Sequence, residues 1–489
     1  MKRILNAEAL TTHGNRRGRR DVVEILEAGL QAADPYYNTK KLVRVEGNQL
    51  IVGGADYEPE GSPVTGDAVF DLDKVGRILV VGAGKGAQHV AKALEEALGD
   101  RLTGGHIIAK HGDDLILERI GVTFGAHPVP DEGCVEGCQR ILALLTDLRE
   151  EDLVFTIAAN GISSLLTLPV PGVTLEEVRQ TTYLMQIERG APTGDLNPIR
   201  NHLDQLKGGR ISTHIEPATA IHILAIDPGN HDQLMHRNVW LHTLPEGSTF
   251  ERAVAMLKKW DAWDAVPASV RAFLSKADPR WETVKAGTFE RMRYRIFGVM
   301  PNHLGVIPTA MKKAAALGYR PIELARGLGA EASQAGLVVA TIGTTCEQHG
   351  IPFEPPCALF TSGELLVTVG QEKGIGGRNQ EYAMAAALRI AGNRNIVVGA
   401  VDTDGTDGPG TQFAEGCGVG SNAGIPSLAG AVVDGATFQR ACELGIDLRD
   451  ELRHHNTTPA LCQLDSGVVA THNISLNDLC VTLIMDGTR

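Results

Sequence analysis

Twice in this chain a short apolar run ends on small residues and gives way to a helical pattern, and that repeat constrains the fold most. RILVVGAG (77–84) is followed by KGAQHVAKALEEAL, and DLVFTIAANG (152–161) precedes a helix expected from about Leu175. AIHILAID (220–227) is a third buried run that ends on an acid. ALFTSGELLVTV (358–369) and NIVVGAVDTDGTDG (395–408) read as further strands, with EYAMAAALRIAG (381–392) as the helix between them. Residues 20–33 carry apolar positions at helical spacing, and that helix should stop before Pro35. Strands alternating with helices predict an α/β protein with largely parallel sheets flanked by helices. In such sheets ligands collect beyond the carboxyl ends of the strands, where these glycines and acids lie.

At 489 residues the chain has room for several domains. Hydrophobic residues make up 43% and charged residues 21%, enough apolar content for a sizeable core. The formal net charge of −13 argues against nucleic acid or an anionic membrane as the partner, yet leaves room for a locally basic pocket. No apolar run reaches the ~18 residues of a membrane span, and the basic N-terminal stretch lacks the apolar segment of a secretory signal. The eight cysteines show no metal-ligand spacing. Cys134 and Cys138 stand four apart on an expected helix, and reduced thiols in a cytoplasmic protein are the plain reading. Residues 250–345 differ in texture, with two helical stretches, FERAVAMLKKWDAW and 302–338. Turn residues at 340–355 suggest a boundary that divides the chain into 1–345 and 346–489.

Five segments carry residue types suited to chemistry. VVGAGKGA (80–87) sets Lys85 in a glycine turn at a strand end, where an ammonium suits a carboxylate or phosphate. GAHPVPDEG (125–133) holds His127 in a rigid loop, read as structural. DLNPIRNHLDQLKGGRIS (195–212) groups Asn197, Arg200, His202 and Lys207 before two glycines. Arg200 and Lys207 could clamp an anion there. GGRNQE (376–381) opens a helix with Arg378, against the helix dipole, so that the arginine needs another reason to be there. DTDGTDGPG (402–410) spaces Asp402, Asp404 and Asp407 like a cation-binding loop without the rest of an EF-hand.

Together and in this order, GAGK, HPVPDE, NxxRxHLxxxKGGR, GGRNQE and TDGxDGP resemble the glycerate 2-kinase family, which joins a DUF4147-type N-terminal domain to a MOFRL C-terminal domain. The resemblance runs from about residue 20 to 486. It implies two α/β domains with the active site in the cleft between them, and phosphorylation of D-glycerate with ATP and Mg²⁺. Lys85 and Arg378 match the family's cleft lysine and arginine, Asp227 the acid of its SDVxGD segment, and Glu364 that of its SGGE segment. The catalytic set implied is Lys85, Arg378 and Asp227. Asn197, Arg200, Lys207, Ser163, Ser164, Asn379, Glu381 and Glu364 are expected around the substrate, with Asp404 and Asp407 near the cation.

Four glycine-rich segments depart from the family. SGGGSS reads ANGISS (159–164), SDVxGD reads AIDPGNH (225–231), SGPT reads WLHT (240–243) and GPTGTN reads ATHNIS (470–475). The same stretch gains His222, His231, His236 and His242. A second reading follows, in which His231 and His236 with a nearby acid hold Zn, Mn or Fe for lyase, isomerase or hydrolase chemistry on a hydroxy or keto acid. A third is a non-catalytic binder of small carboxylates. A small carboxylate is the ligand in all three, and a homodimer is an open expectation. No complete dinucleotide fingerprint supports a reductase.

Overall fold

The computed structural model describes residues 2–300, 305–370, 372–408, 427–471 and 476–487. The chain forms two compact units, residues 35–302 and residues 1–34 with 303–489.

In the first unit, β1 (Val43–Glu46), β2 (Gln49–Val52) and β3 (Ala68–Asp71) form a small antiparallel sheet. The main sheet contains β4 (Ile78–Ala83), β5 (Gly104–Lys110), β6 (Gly121–Gly125), β7 (Leu153–Ala158), β8 (Thr219–Leu224) and β9 (Tyr294–Gly298). All its pairings are parallel, in the order β6-β5-β4-β7-β8-β9. β4 and β7 are buried along their whole length, which is why they read as unbroken apolar runs rather than alternating ones. Gly82 is required where they meet, since a Cβ there would stand 2.4 Å from the Ile157 carbonyl oxygen.

Helix Glu132–Leu144 lays Cys134, Cys138 and Ile141 into the core over Ile108. Burial pushes the Cys134 thiol up to about 12, so these cysteines serve as small apolar side chains. A helical layer caps the same unit. Helices Leu175–Tyr183, Thr193–His202, Phe250–Lys259 and Ala268–Lys276 share a core that includes Val178, Ile199, Phe250, Leu257 and Val270.

The second unit has its own six-stranded sheet, with β10 (Arg320–Ala325), β11 (Cys357–Gly363), β12 (Ile396–Asp402), β13 (Gly430–Asp434), β14 (Gly467–Val468) and β15 (Asp478–Ile484). Its order is β10-β11-β15-β12-β13-β14. Here the parallel expectation gives way, because only β10 and β11 run parallel. The late strand β15 returns between β11 and β12, antiparallel to both, a pairing that chain order cannot reveal.

Two further expectations change. Residues 302–338 are not helical throughout, since β10 lies between helices Val306–Ala316 and Ala332–His349. The boundary expected at 345 falls inside helix Ala332–His349, which packs on helix Arg378–Arg389 at Gly336, where a Cβ would stand 2.1 Å from the Tyr382 carbonyl oxygen. The N-terminal helix Arg16–Ala32 belongs to this unit too. Val22 and Leu26 pack with Val397, Val481 and Leu483, and the buried Arg19 pairs with Asp434 at 2.6 Å. No helix among the described residues is long and apolar enough to cross a membrane.

Candidate active site

The order of the parallel sheet reverses between β4 and β7. From β4 the chain builds outward through β5 to β6, and from β7 it builds the other way through β8 to β9. Connections therefore diverge at the carboxyl ends of β4 and β7 and leave a crevice, the usual ligand site of an open parallel sheet. Lys85 lies two residues beyond β4, and its backbone N–H donates to the Asn160 carbonyl beyond β7 at 2.7 Å. Gly161 follows with φ +85°, and a Cβ there would stand 3.1 Å from His127 Cδ2 and 3.4 Å from Lys85 Cγ. Lys85, His127 and the ANGISS turn thus meet at one point.

Polar groups continue outward from that point. Ser163 Oγ lies 2.8 Å from His242 Nε2 and accepts from Asn197 Nδ2 at 3.2 Å. Asn197 Nδ2 also donates to the Val239 carbonyl at 2.9 Å, which fixes the orientation of the amide. Ser164 Oγ donates to the Ala126 carbonyl at 3.0 Å. Asn197 and Arg200 stand three apart on helix Thr193–His202 and so share a face.

Arg200 is 8% exposed. Among the described residues its hydrogen-bond partner is Gln186 Oε1 at 2.8 Å, with no carboxylate alongside. Burial alone pulls its guanidinium down to about 10. A buried cation without a counter-ion is costly, so the fold keeps here a positive charge that its own residues do not neutralise. Asn197 Oδ1 and both polar atoms of the Asn201 amide are also buried without hydrogen-bond partners. Buried polar atoms of this kind mark places where water or a ligand belongs.

Lys207, expected as the second arm of the clamp, is placed differently. It is 1% exposed, and its ammonium donates to Asp204 Oδ2 at 2.7 Å and Thr167 Oγ1 at 2.8 Å. Its charge is spent inside the fold. Asp227 lies half-buried beyond β8, and its Oδ1 accepts from Gly229 N at 2.6 Å, closing a turn.

The histidine metal site does not form. His231 and His236 begin and end the single helix His231–His236, and five residues of helix turn them about 140° apart. His236 faces Asp232 at 3.8 Å on the surface, while His231 is buried. His222 is a core residue bonded to Thr156 Oγ1 at 2.7 Å. Among the described residues no three His, Cys, Asp or Glu side chains group as a metal site.

The second unit gathers a different set. Asp402 at the end of β12 and Asp478 at the start of β15 are register partners. Arg378 bridges them, with Nε 2.8 Å from Asp478 Oδ1 and Nη2 2.8 Å from Asp402 Oδ2. Burial works against the guanidinium's charge, but Asp402 and Asp478 outweigh it and hold its pKa above the ordinary arginine value. This answers why an arginine opens a helix against its dipole. Glu364 reaches to 3.6 Å from Arg378 Nη1. Burial, with Asp404 adding to it, pushes the Asp402 carboxyl well above the usual carboxylate range. A cavity of about 450 Å³ lies beside Arg378, walled by Leu366, Val369, Gly377 and His455.

The acidic loop contributes turns and a cap rather than a grouped cation site. Asp404 Oδ1 accepts from Thr406 N at 2.8 Å. Asp407 accepts from Asn379 N at 3.1 Å and Gln380 N at 2.9 Å, capping helix Arg378–Arg389. Asn379 Nδ2 donates to Asp478 Oδ1 at 2.7 Å, and Glu381 pairs with His455 Nδ1 at 2.7 Å, so both expected substrate contacts are occupied within the fold. Residues 409–410 of this loop, and 472–475 of the altered ATHNIS segment, lie outside the described residues.

Asp407 gives a testable pH dependence. Burial raises its carboxyl from 3.8 to about 6, against the two backbone hydrogen bonds. A raised acid contributes stability that is full below its unfolded pKa and is lost as pH rises through its folded pKa. Urea melts should show the stability difference between wild type and Asp407→Asn changing by one proton's worth of slope between pH about 4 and 6, the wild type losing stability relative to the variant as pH rises.

Both units match known sequence families. Residues 21–275 match the model described as a domain of unknown function, DUF4147, and residues 357–477 match the MOFRL family. The chain is 31% identical over 439 residues to a glycerate 2-kinase of Pyrococcus horikoshii, covering 90% of this chain and 91% of that one. It is 30% identical over 416 residues to a D-glycerate 2-kinase of Thermotoga maritima, covering 84% and 91%. The crystal structure of a Thermotoga maritima glycerate kinase superposes with a TM-score of 0.73 at 27% identity, over 95% of this chain and 99% of that one. The chain belongs to the glycerate 2-kinase family.

Proposed function

We propose that this protein transfers the γ-phosphoryl group of ATP to D-glycerate or a closely similar small hydroxy acid. The observation that carries the reading is Arg200, a buried guanidinium with no carboxylate partner among the described residues, on the same helix face as an asparagine that touches Ser163 at the switch point of the parallel sheet. In this reading Arg200 holds the substrate carboxylate, with Asn197 and Ser163 beside it. Lys85 stabilises the charge of the phosphoryl group in transfer. Lys207, Ser164, Asn379 and Glu381 position the residues around them.

The residues beyond β4 and β7 suit a nucleotide's phosphates, with the Lys85 ammonium at a turn kept open by Gly161. Magnesium in such enzymes rides on the nucleotide with one or two protein carboxylates, and Asp227 is a carboxylate of that kind. ATP with Mg²⁺ supplies the activated phosphoryl group. The protein's part is to orient the hydroxyl, hold the carboxylate and keep cations in place.

Lys85→Ala should lower kcat about 100- to 1,000-fold while the chain stays folded. ADP release measured with Mg-ATP and D-glycerate checks this. Release by wild type only when both are present supports the kinase reading, and release that ignores glycerate contradicts it.

A further inference from the structure

The second reading of the histidines fails as a metal site, yet one of them has a defined place. His242 belongs to WLHT, the segment where this chain departs from the family's SGPT, so the group is this chain's own. It is 1% exposed, and its Nε2 stands 2.8 Å from Ser163 Oγ. Ser163 thus has two nitrogen neighbours, His242 Nε2 and Asn197 Nδ2. The amide nitrogen must donate, because the same atom faces the Val239 carbonyl.

A serine hydroxyl has one proton and two lone pairs. If His242 carries its proton on Nε2, both lone pairs are occupied by N–H donors. The serine proton is then left with no protein acceptor in this set and is available to an anion. If the proton sits on Nδ1 instead, Ser163 must give its proton to the imidazole and has none for a ligand.

The imidazole has little access to its charged form. Burial, then the nearby charges of Lys207, Arg200 and Arg210, hold its pKa well below the ordinary histidine value. The ring is therefore a fixed neutral group rather than a switch, and its tautomer decides what Ser163 can do.

We propose that His242 is a positioning residue: its Nε2–H holds Ser163 Oγ so that the serine's single proton is directed to the substrate anion paired with Arg200. This rests on the reading of Arg200 as an anion site. It adds a donor that the sequence departures had made look lost. Where the family's segment has a proline, this chain places a side chain that restrains a hydroxyl.

The test has two independent arms. In the first, histidine-labelled wild-type protein is examined by long-range ¹H–¹⁵N correlation between pH 5.5 and 8. A neutral His242 protonated on Nε2 across the range is expected, whereas an Nδ1–H tautomer overturns the proposal. In the second, D-glycerate binding is followed by calorimetry without ATP, so that the outcome is independent of turnover. Ser163→Ala and His242→Leu should each weaken binding about tenfold, and the double variant should be no weaker than either alone. His242→Gln, whose amide can donate from a similar position, should bind within about threefold of wild type. Should His242→Leu fail to fold, the glutamine and alanine variants still decide. Weakened binding in Arg200→Met with wild-type binding in the His242 variants overturns the role of His242 alone. Wild-type binding in both sets overturns the anion site as well.

Discussion

Arg200→Met should abolish most substrate binding while leaving the protein as stable as before, or more so. The two effects have one cause. Burial lowers the guanidinium from 12.5 to about 10 without any opposing carboxylate. A base whose folded pKa is lowered carries its penalty fully at every pH below that folded value, which covers the working range. That penalty is on the order of 3 kcal/mol. Methionine fills similar space without charge and leaves only Gln186 Oε1 short of its 2.8 Å partner, a smaller loss. The thermal midpoint should therefore hold or rise by a few degrees. Removing the cation that answers a carboxylate should cost about 2–4 kcal/mol of binding, a loss of kcat/KM of roughly 30- to 1,000-fold, carried mainly by KM. A purely structural arginine would show the reverse, with lower stability and little change in KM.

Arg378→Met should do the opposite to stability. It leaves Asp402 and Asp478 side by side, 5% and 1% exposed, with no cation between them. Breaking a buried ion pair from one side costs on the order of 3–5 kcal/mol. The sign of its pH dependence follows from Asp402, whose carboxyl is already raised by burial and by Asp404. A raised acid favours the folded state while protonated and loses that contribution as pH rises through its folded pKa. Arg378 is the group that lowers this carboxyl, so Arg378→Met raises it further, and the deficit relative to wild type should be larger at pH 8 than at pH 5. Urea melts at both values measure it. Arg378→Lys should recover only part, because an ammonium cannot bridge two carboxylates with a planar fork.

The parallel half of the fold was readable because its central strands are buried on both faces. Residues 77–84, 152–161 and 220–227 announce themselves as apolar runs ending on turn residues; β4 and β7 lie within the first two, and β8 overlaps the third, starting one residue earlier. The second sheet was not readable in the same way. β15 is equally apolar, but its insertion between β11 and β12 is a long-range choice with no local mark. The site divides along similar lines. Lys85, Ser163, Asn197 and Arg200 stand in short patterns whose residue types suit anions. Asp478 sits in a plain strand opening, and only the register that pairs it with Asp402 gives it a role beside Arg378. Lys207 misled because sequence shows a lysine before two glycines and hides the Asp204 three residues earlier that neutralises it. The histidines of 222–242 misled because closeness in sequence is not convergence. Helix geometry separates His231 from His236, while His242 reaches Ser163 from 79 residues away.

Phosphoryl transfer to the hydroxyl of a small hydroxy acid leaves a phosphate ester whose structure is diagnostic. Purified protein incubated with Mg-ATP and D-glycerate should be followed by ³¹P NMR with proton coupling retained. The family assignment predicts growth of a phosphate-ester resonance split into a doublet by a single proton, the signature of 2-phosphoglycerate, matched by ADP. A triplet would place the phosphate on the terminal hydroxyl and contradict the 2-kinase assignment. ATP left intact, or converted only to ADP and inorganic phosphate, would contradict phosphoryl transfer to glycerate altogether.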